Sequence, residues 1–132
     1  MVAVSLVLQA CSPASKQASV EFSCDDFRKK QYISTEVQVV NGDSFTVTLC
    51  SVPTAGYLWS ESAQISDQAV LKQEDHKIIP PEDKNRVGGT AKTVWTFVAL
   101  KEGTATISME NSQPWEGGDK KGWTFELTVV VK

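Results

Sequence analysis

The sequence predicts an all-β domain: an immunoglobulin-like antiparallel β-sandwich of about seven strands. Three observations predict it. From Thr35 onward apolar residues alternate with polar ones at period two, turn residues recur at short intervals, and no window sustains a 3.6-residue period. Seven short strands in roughly a hundred residues suit that sandwich. A small β-barrel has the same periodicity and is the second architecture the pattern allows.

The first strand is TEVQVV, Thr35–Val40, with Val37 and Val39 on one face, and it ends at the tight-turn signal Asn41-Gly42-Asp43. The second, SFTVTLC, sends Phe45, Val47 and Leu49 inward and Thr46, Thr48 and Cys50 outward. The third is YLWSESA, with Tyr57 and Trp59 in phase, and Trp59 suits an indole buried between sheets. The fourth, AVLKQEDHKII, is more polar and reads as an edge. The fifth, TAKTVWTFVAL, places Thr93, Trp95, Phe97 and Ala99 on one face and Lys92 and Thr96 on the other. The sixth, TATISME, turns Ala105, Ile107 and Met109 inward. The seventh, WTFELTVVVK, does the same with Trp123, Phe125, Leu127, Val129 and Val131.

Because successive turns of an antiparallel sandwich fall at alternate ends, the connections sort into two sets. One set is short: NGD, ISDQ and KEG. The other is long and rich in Pro and Gly: SVPTAG (loop 1, Ser51–Gly56), PPEDKNRVGG (loop 2, Pro80–Gly89) and SQPWEGGDKKG (loop 3, Ser112–Gly122). The three long loops are therefore expected at one pole, and loops gathered on a rigid scaffold are where binding sites usually sit. Loop 3 carries Trp115. A covered indole buries roughly 150 to 250 Å², so a tryptophan placed in a solvated loop suits a partner surface.

The chain has 132 residues, 13 basic against 16 acidic, for a net charge of −3. That is one domain's worth of chain. Without a basic block it does not suit nucleic acid or an anionic membrane surface. The uncharged start MVAVSLVLQAC is too short to span a bilayer, and the small polar run SPASKQAS follows it. Leu8-Gln9-Ala10-Cys11 resembles a lipobox, which implies cleavage before Cys11, lipidation of that residue and export. Residues 1–19 are read as a lipoprotein-type signal remnant and linker, and 20–132 as the domain. A lipid on Cys11 would be the sole membrane attachment, and a monomer is the default state. With Cys11 assigned to the anchor, Cys24 and Cys50 remain as an even pair in an exported chain, which favours a disulfide.

The sequence has little enzymatic character. The single histidine, His76, lies in QEDHK on the expected edge strand beside Glu74 and Asp75, and neither Cys24 nor Cys50 has an evident activating context. No phosphate loop, HExxH or CxxC occurs. Asp75, Glu82 and Asp83 lack an ordered calcium-ligand spacing. No cofactor and no metal is expected.

The loop residues resemble the chagasin-type inhibitors of papain-like cysteine peptidases. That family carries Asn-Pro-Thr-Thr-Gly, Gly-x-Gly-Gly and Arg-Pro-Trp stretches in these three connections. Here they correspond to VPTAG (Val52, Pro53, Thr54, Ala55, Gly56), RVGG (Arg86, Val87, Gly88, Gly89) and QPW (Gln113, Pro114, Trp115). GYLW after loop 1 and WTF at the start of the last strand extend the likeness. The resemblance implies a reversible inhibitor that inserts the three loops as a wedge into the peptidase cleft without being cleaved. Thr54 would lie nearest the enzyme's catalytic residues, Gly88 and Gly89 would allow close backbone approach, and Trp115 would stack on the cleft wall. Four departures bear on potency and target choice: Val52 for an amide that can brace the loop, Ala55 for the second Thr, Arg86 for a Gly, and Gln113 for an Arg, a planar charged donor. A surface-anchored Ig-like module that recognises another protein or carbohydrate through the same pole is the second function the residues allow.

Overall fold

The computed structural model describes residues 18–52, 56–80, 90–113, 115–118 and 122–132. Its elements, in chain order, are β1 (Ala18–Phe22), α1 (Cys24–Lys29), β2 (Tyr32–Val39), β3 (Ser44–Ser51), β4 (Leu58–Trp59), β5 (Gln64–Ile65), β6 (Leu71–Ile79), β7 (Ala91–Ala99), β8 (Gly103–Ser112) and β9 (Thr124–Val131). They form two sheets, one ordered β1-β3-β7-β6 and the other β2-β9-β8-β4, with β5 also paired to β8. The all-β sandwich expected from the alternation is the observed fold.

The inward phases are those the alternation assigns. Phe45, Val47 and Leu49 of β3 and Trp95 and Phe97 of β7 face Ile107 and Met109 of β8 and Phe125, Leu127 and Val129 of β9, all fully buried. Strand β6 is an edge, as its polarity suggests, and a bulge between Gln73 and Asp75 breaks its register. Exposed charges and a bulge keep an edge from recruiting another strand. Gln73 also ties the two sheets together along that side. Its carbonyl accepts from Ala63 N (2.9 Å) and its amide donates to Glu61 O (2.9 Å).

The structure corrects the expected scheme in four places. Strand β1 takes in Ala18 and Ser19, which fall in the stretch assigned to the linker, and pairs with β3 from Ala18↔Phe45 to Phe22↔Leu49. That pairing is parallel, as is β2 with β9, so the sheets are not purely antiparallel. The single strand expected over Tyr57–Ala63 is strand only at Leu58–Trp59 (β4); β5 follows it at Gln64–Ile65, and both pair with β8. The break is held at Ser60, whose N and Oγ both donate to Glu110 O (3.0 and 3.2 Å) and whose carbonyl accepts from Trp95 Nε1 (3.1 Å). The fourth correction is the helix α1, which no periodicity announces.

Six residues are too few to form a stable helix alone; capping and tertiary anchorage hold α1. Ser23 is the N-cap. Its Oγ accepts from Asp26 N (3.2 Å) while the Asp26 carboxylate accepts from Ser23 N (2.8 Å), a capping box. The backbone hydrogen bond from Ser23, and then its hydroxyl, hold the Asp26 carboxyl below its ordinary 3.8. A lowered folded-state pKa stabilises above the unfolded value and is lost as pH falls through the folded one. Protection of the amides of residues 24–29, meaning exchange relative to the intrinsic rate at each pH, is therefore expected to persist down to 3.8 and to fall off below it. Ser23→Ala, which removes the cap, is expected to speed the same amides at neutral pH and to cost about 1 kcal/mol.

The second anchor is covalent. Cys24 is bonded to Cys50, with the two Cα atoms 5.1 Å apart. Cys50 points outward from β3, as its phase requires, yet it is only 8 % exposed, because the first turn of α1 lies over it.

Candidate functional site

Strand register decides where the long connections start and end. Ser51, the last residue of β3, pairs with Ala91, the first of β7, and Ile79, the last of β6, pairs with Lys92. The roots of loops 1 and 2 are therefore neighbours in one sheet. In the other sheet Leu58 at the start of β4 pairs with Ser112 at the end of β8, which joins the roots of loops 1 and 3. Loop 1 leaves the first sheet beside the root of loop 2 and enters the second beside the root of loop 3. The gathering of the three long connections at one end, expected from alternating turns, is a property of the pairing.

Of the expected site residues, Val52, Gly56, Gln113 and Trp115 are described. Pro53, Thr54 and Ala55 of loop 1, Arg86, Val87, Gly88 and Gly89 of loop 2, and Pro114 of loop 3 lie outside the described residues, as do Cys11, Glu82 and Asp83. Val52 is half-buried directly after β3, and Gln113 is half-buried directly after β8.

Trp115 and Gly56 form the contact that the sequence does not announce. Gly56 has φ +82°, and a Cβ there would lie 2.9 Å from Cζ3 of Trp115 and nearer still to its Cη2. The benzo edge of the indole thus rests on bare backbone of loop 1, in a space only glycine leaves free. Trp115 remains 51 % exposed. Residues 115–118 close into a turn, with Gly118 N donating to Trp115 O (3.0 Å) and Gly117 at φ +84°. The indole is held on one side by loop 1 and open to solvent on the other. Gly56→Ala carries two penalties, a left-handed conformation that costs an alanine about 1 to 2 kcal/mol and a collision with the ring. It is expected to lower the urea midpoint and to alter the near-ultraviolet circular dichroism of the tryptophans.

A second interlock lies below this one. A Cβ on Gly122 would strike the carbonyl of Asn111 and lie 3.2 Å from Cδ1 of Tyr57. The far end of loop 3 therefore packs against the backbone of β8 as closely as backbone permits, with the ring of Tyr57, directly after loop 1, beside it. Asn111 is itself buried, and its N donates to Trp123 O (2.8 Å). Its buried Oδ1 has no hydrogen-bond partner among the described residues.

Beneath the pole runs a series of aromatic rings. Trp123 stacks on Phe27 (centroids 5.1 Å, planes 12° apart), Phe27 meets Trp59 at 5.3 Å, and Trp59 meets Trp95 edge-on at 6.2 Å. His76 of the edge strand ends the series, its ring 5.7 Å from that of Trp95. His76 is thus half-buried against an indole, although it lies on an edge strand between charged neighbours. Trp59 Nε1 donates to Cys50 O (2.9 Å), which ties the third predicted strand to the root of loop 1.

Comparison with known proteins gives the same picture. None of the curated proteins matches the chain in sequence. The structure resembles the crystal structure of the cysteine protease inhibitor EhICP2 from Entamoeba histolytica, with a TM-score of 0.68 at 20% identity over 92% of this chain and 100% of that one. It also resembles the solution structure of amebosin, with a TM-score of 0.59 at 17% identity over 89% of this chain and 100% of that one. At these identities the likeness is one of fold. The model of the family described as chagasin family peptidase inhibitor I42 matches residues 38–129, most of the two sheets and all three loops. The chain therefore belongs to the chagasin family of peptidase inhibitors.

Proposed function

We propose that the chain is a reversible, tight-binding inhibitor of papain-like cysteine peptidases, entering the active-site cleft with loop 1 in the middle and loops 2 and 3 on either side. The observation that carries this reading is the pole itself. Register sets the root of loop 1 beside the root of loop 2 in one sheet and beside the root of loop 3 in the other, and Trp115 is presented half-exposed on Gly56 at the end of loop 1. A rigid aromatic loses little entropy on immobilisation, and Trp is strongly enriched among interface hot spots. Thr54, flanked by Pro53 and Ala55, is the segment assigned to the enzyme's catalytic residues; Arg86, Val87, Gly88 and Gly89 are assigned to one wall and Gln113, Pro114 and Trp115 to the other.

The inhibitor acts as a monomer outside the cytoplasm, tethered by a lipid on Cys11 or released. The disulfide suits an oxidising compartment. Active-site-titrated papain incubated with increasing amounts of the chain tests the function. Stoichiometric loss of activity that returns on dilution, with loop 1 intact by mass spectrometry, is the expected result. No inhibition at micromolar concentration, with Trp115 still required for some other ligand, would replace the inhibitor by a binding module that uses the same pole.

A further inference from the structure

We infer that Phe27 is a positioning residue for the inhibitory loops, and that α1, which precedes the family-matched segment 38–129, is a brace that sets the separation of loops 1 and 3. The inference rests on the inhibitor reading for its effect on binding, and on the geometry of the pole for the brace itself.

Strand β1 ends, and β2 begins, at the end of the sandwich where the loops emerge. Phe22 pairs with Leu49 near the end of β3, and Tyr32 pairs with Thr124 at the start of β9. The helix between them therefore crosses from one sheet to the other at the loop pole. From it Phe27, fully buried, reaches between two indoles. Trp59 lies three residues beyond Gly56 of loop 1, and Trp123 directly follows Gly122 of loop 3. Phe27 is 5.3 Å from the first and 5.1 Å from the second, stacked on the second with planes 12° apart. Phe22 backs it at 6.5 Å.

The same helix is tied to the other root of loop 1. Cys24 is bonded to Cys50, one residue before Ser51, and the carbonyl of Cys50 accepts from Trp59 Nε1. Both ends of loop 1 and the far end of loop 3 thus converge on one helix of six residues. If Phe27 were ordinary core filler, its loss would lower stability and leave the loops where they are. A ring wedged between the two roots instead fixes their spacing, and a cleft-filling wedge depends on that spacing.

The test compares Phe27→Leu with Phe45→Leu. Both positions are fully buried aromatics in ring contacts, but Phe45 pairs with Phe97 (5.4 Å) near the far end of β3. Papain inhibition is measured at a temperature where both variants are folded, alongside amide exchange at Val52, Leu58, Gln113 and Trp123. Phe27→Leu is expected to raise the inhibition constant tenfold or more and to speed exchange at those amides, while Phe45→Leu leaves both within twofold at a similar loss of stability. Equal effects from the two variants, or an unchanged inhibition constant with unchanged exchange in Phe27→Leu, would overturn the brace. Should the wild-type chain fail to inhibit papain, the inhibitor reading falls, and the exchange pattern decides the brace by itself. Should Phe27→Leu not fold, Phe27→Met is measured in its place by the same criteria.

Discussion

Trp115→Ala is expected to weaken papain inhibition by about 2 kcal/mol or more, which raises the inhibition constant by roughly 30-fold. The magnitude follows from how the indole is held. One edge lies on Gly56, so its orientation is largely set before binding, and 51 % of the residue is still in water and available to be covered. Covering the open half of an indole, on the order of 100 Å², is worth about 2 to 3 kcal/mol at 25 cal/mol per Å². The stability of the free domain should change little, because the ring lies outside the two-sheet core. Thermal melting then separates the two contributions: the variant should melt with the wild type and inhibit poorly. An inhibition constant within threefold of a potent wild type would remove Trp115 from the binding surface. Trp115→Phe, which keeps a flat ring on Gly56 with less area, should fall between the two.

The same residue marks how far the sequence is legible. Loop 3 is readable as a loop from its Pro and Gly residues, and its placement beside loop 1 follows from counting strands. The contact between Trp115 and Gly56 joins positions 59 residues apart in the chain, and no local pattern encodes it. Strands β3, β7, β8 and β9 were legible because each buries one face, so alternation reports their geometry directly. The two parallel pairings were not, since alternation tells which side chains point inward and nothing about which strand lies alongside. Helix α1 escaped because it buries only Cys24 and Phe27, too few positions to show a period. Its one local signal was the Ser23 and Asp26 spacing of a capping box. Cys50 is the instructive half-success. Its outward phase and its bond to Cys24 were both expected, but its burial depends on the unforeseen helix above it.

Replacing both Cys24 and Cys50 by serine is expected to lower the stability of the domain by about 3.5 kcal/mol, the chain-entropy value for a cross-link closing a loop of this length. The bonded residues are 26 apart in sequence. For a domain of this size that corresponds to a drop in melting temperature of roughly 10 to 20 °C, while a typical stability of about 5 to 15 kcal/mol leaves the variant folded at room temperature. Two agents remove the cross-link differently, and their comparison separates its causes. Reduction by a dithiol frees the unfolded chain but leaves two apolar thiols in place. The double serine variant frees the chain equally and puts a hydroxyl at position 50, a site only 8 % exposed beneath α1. If chain entropy dominates, urea midpoints of the reduced and double-serine proteins should coincide, both well below that of the oxidised protein. If the serine variant is lower still, the excess measures the burial of a hydroxyl under the helix, about 1 to 3 kcal/mol when it lacks a partner. Midpoints equal to that of the oxidised wild type in both cases would mean that the capping box and the wedge of Phe27 hold α1 without the bond.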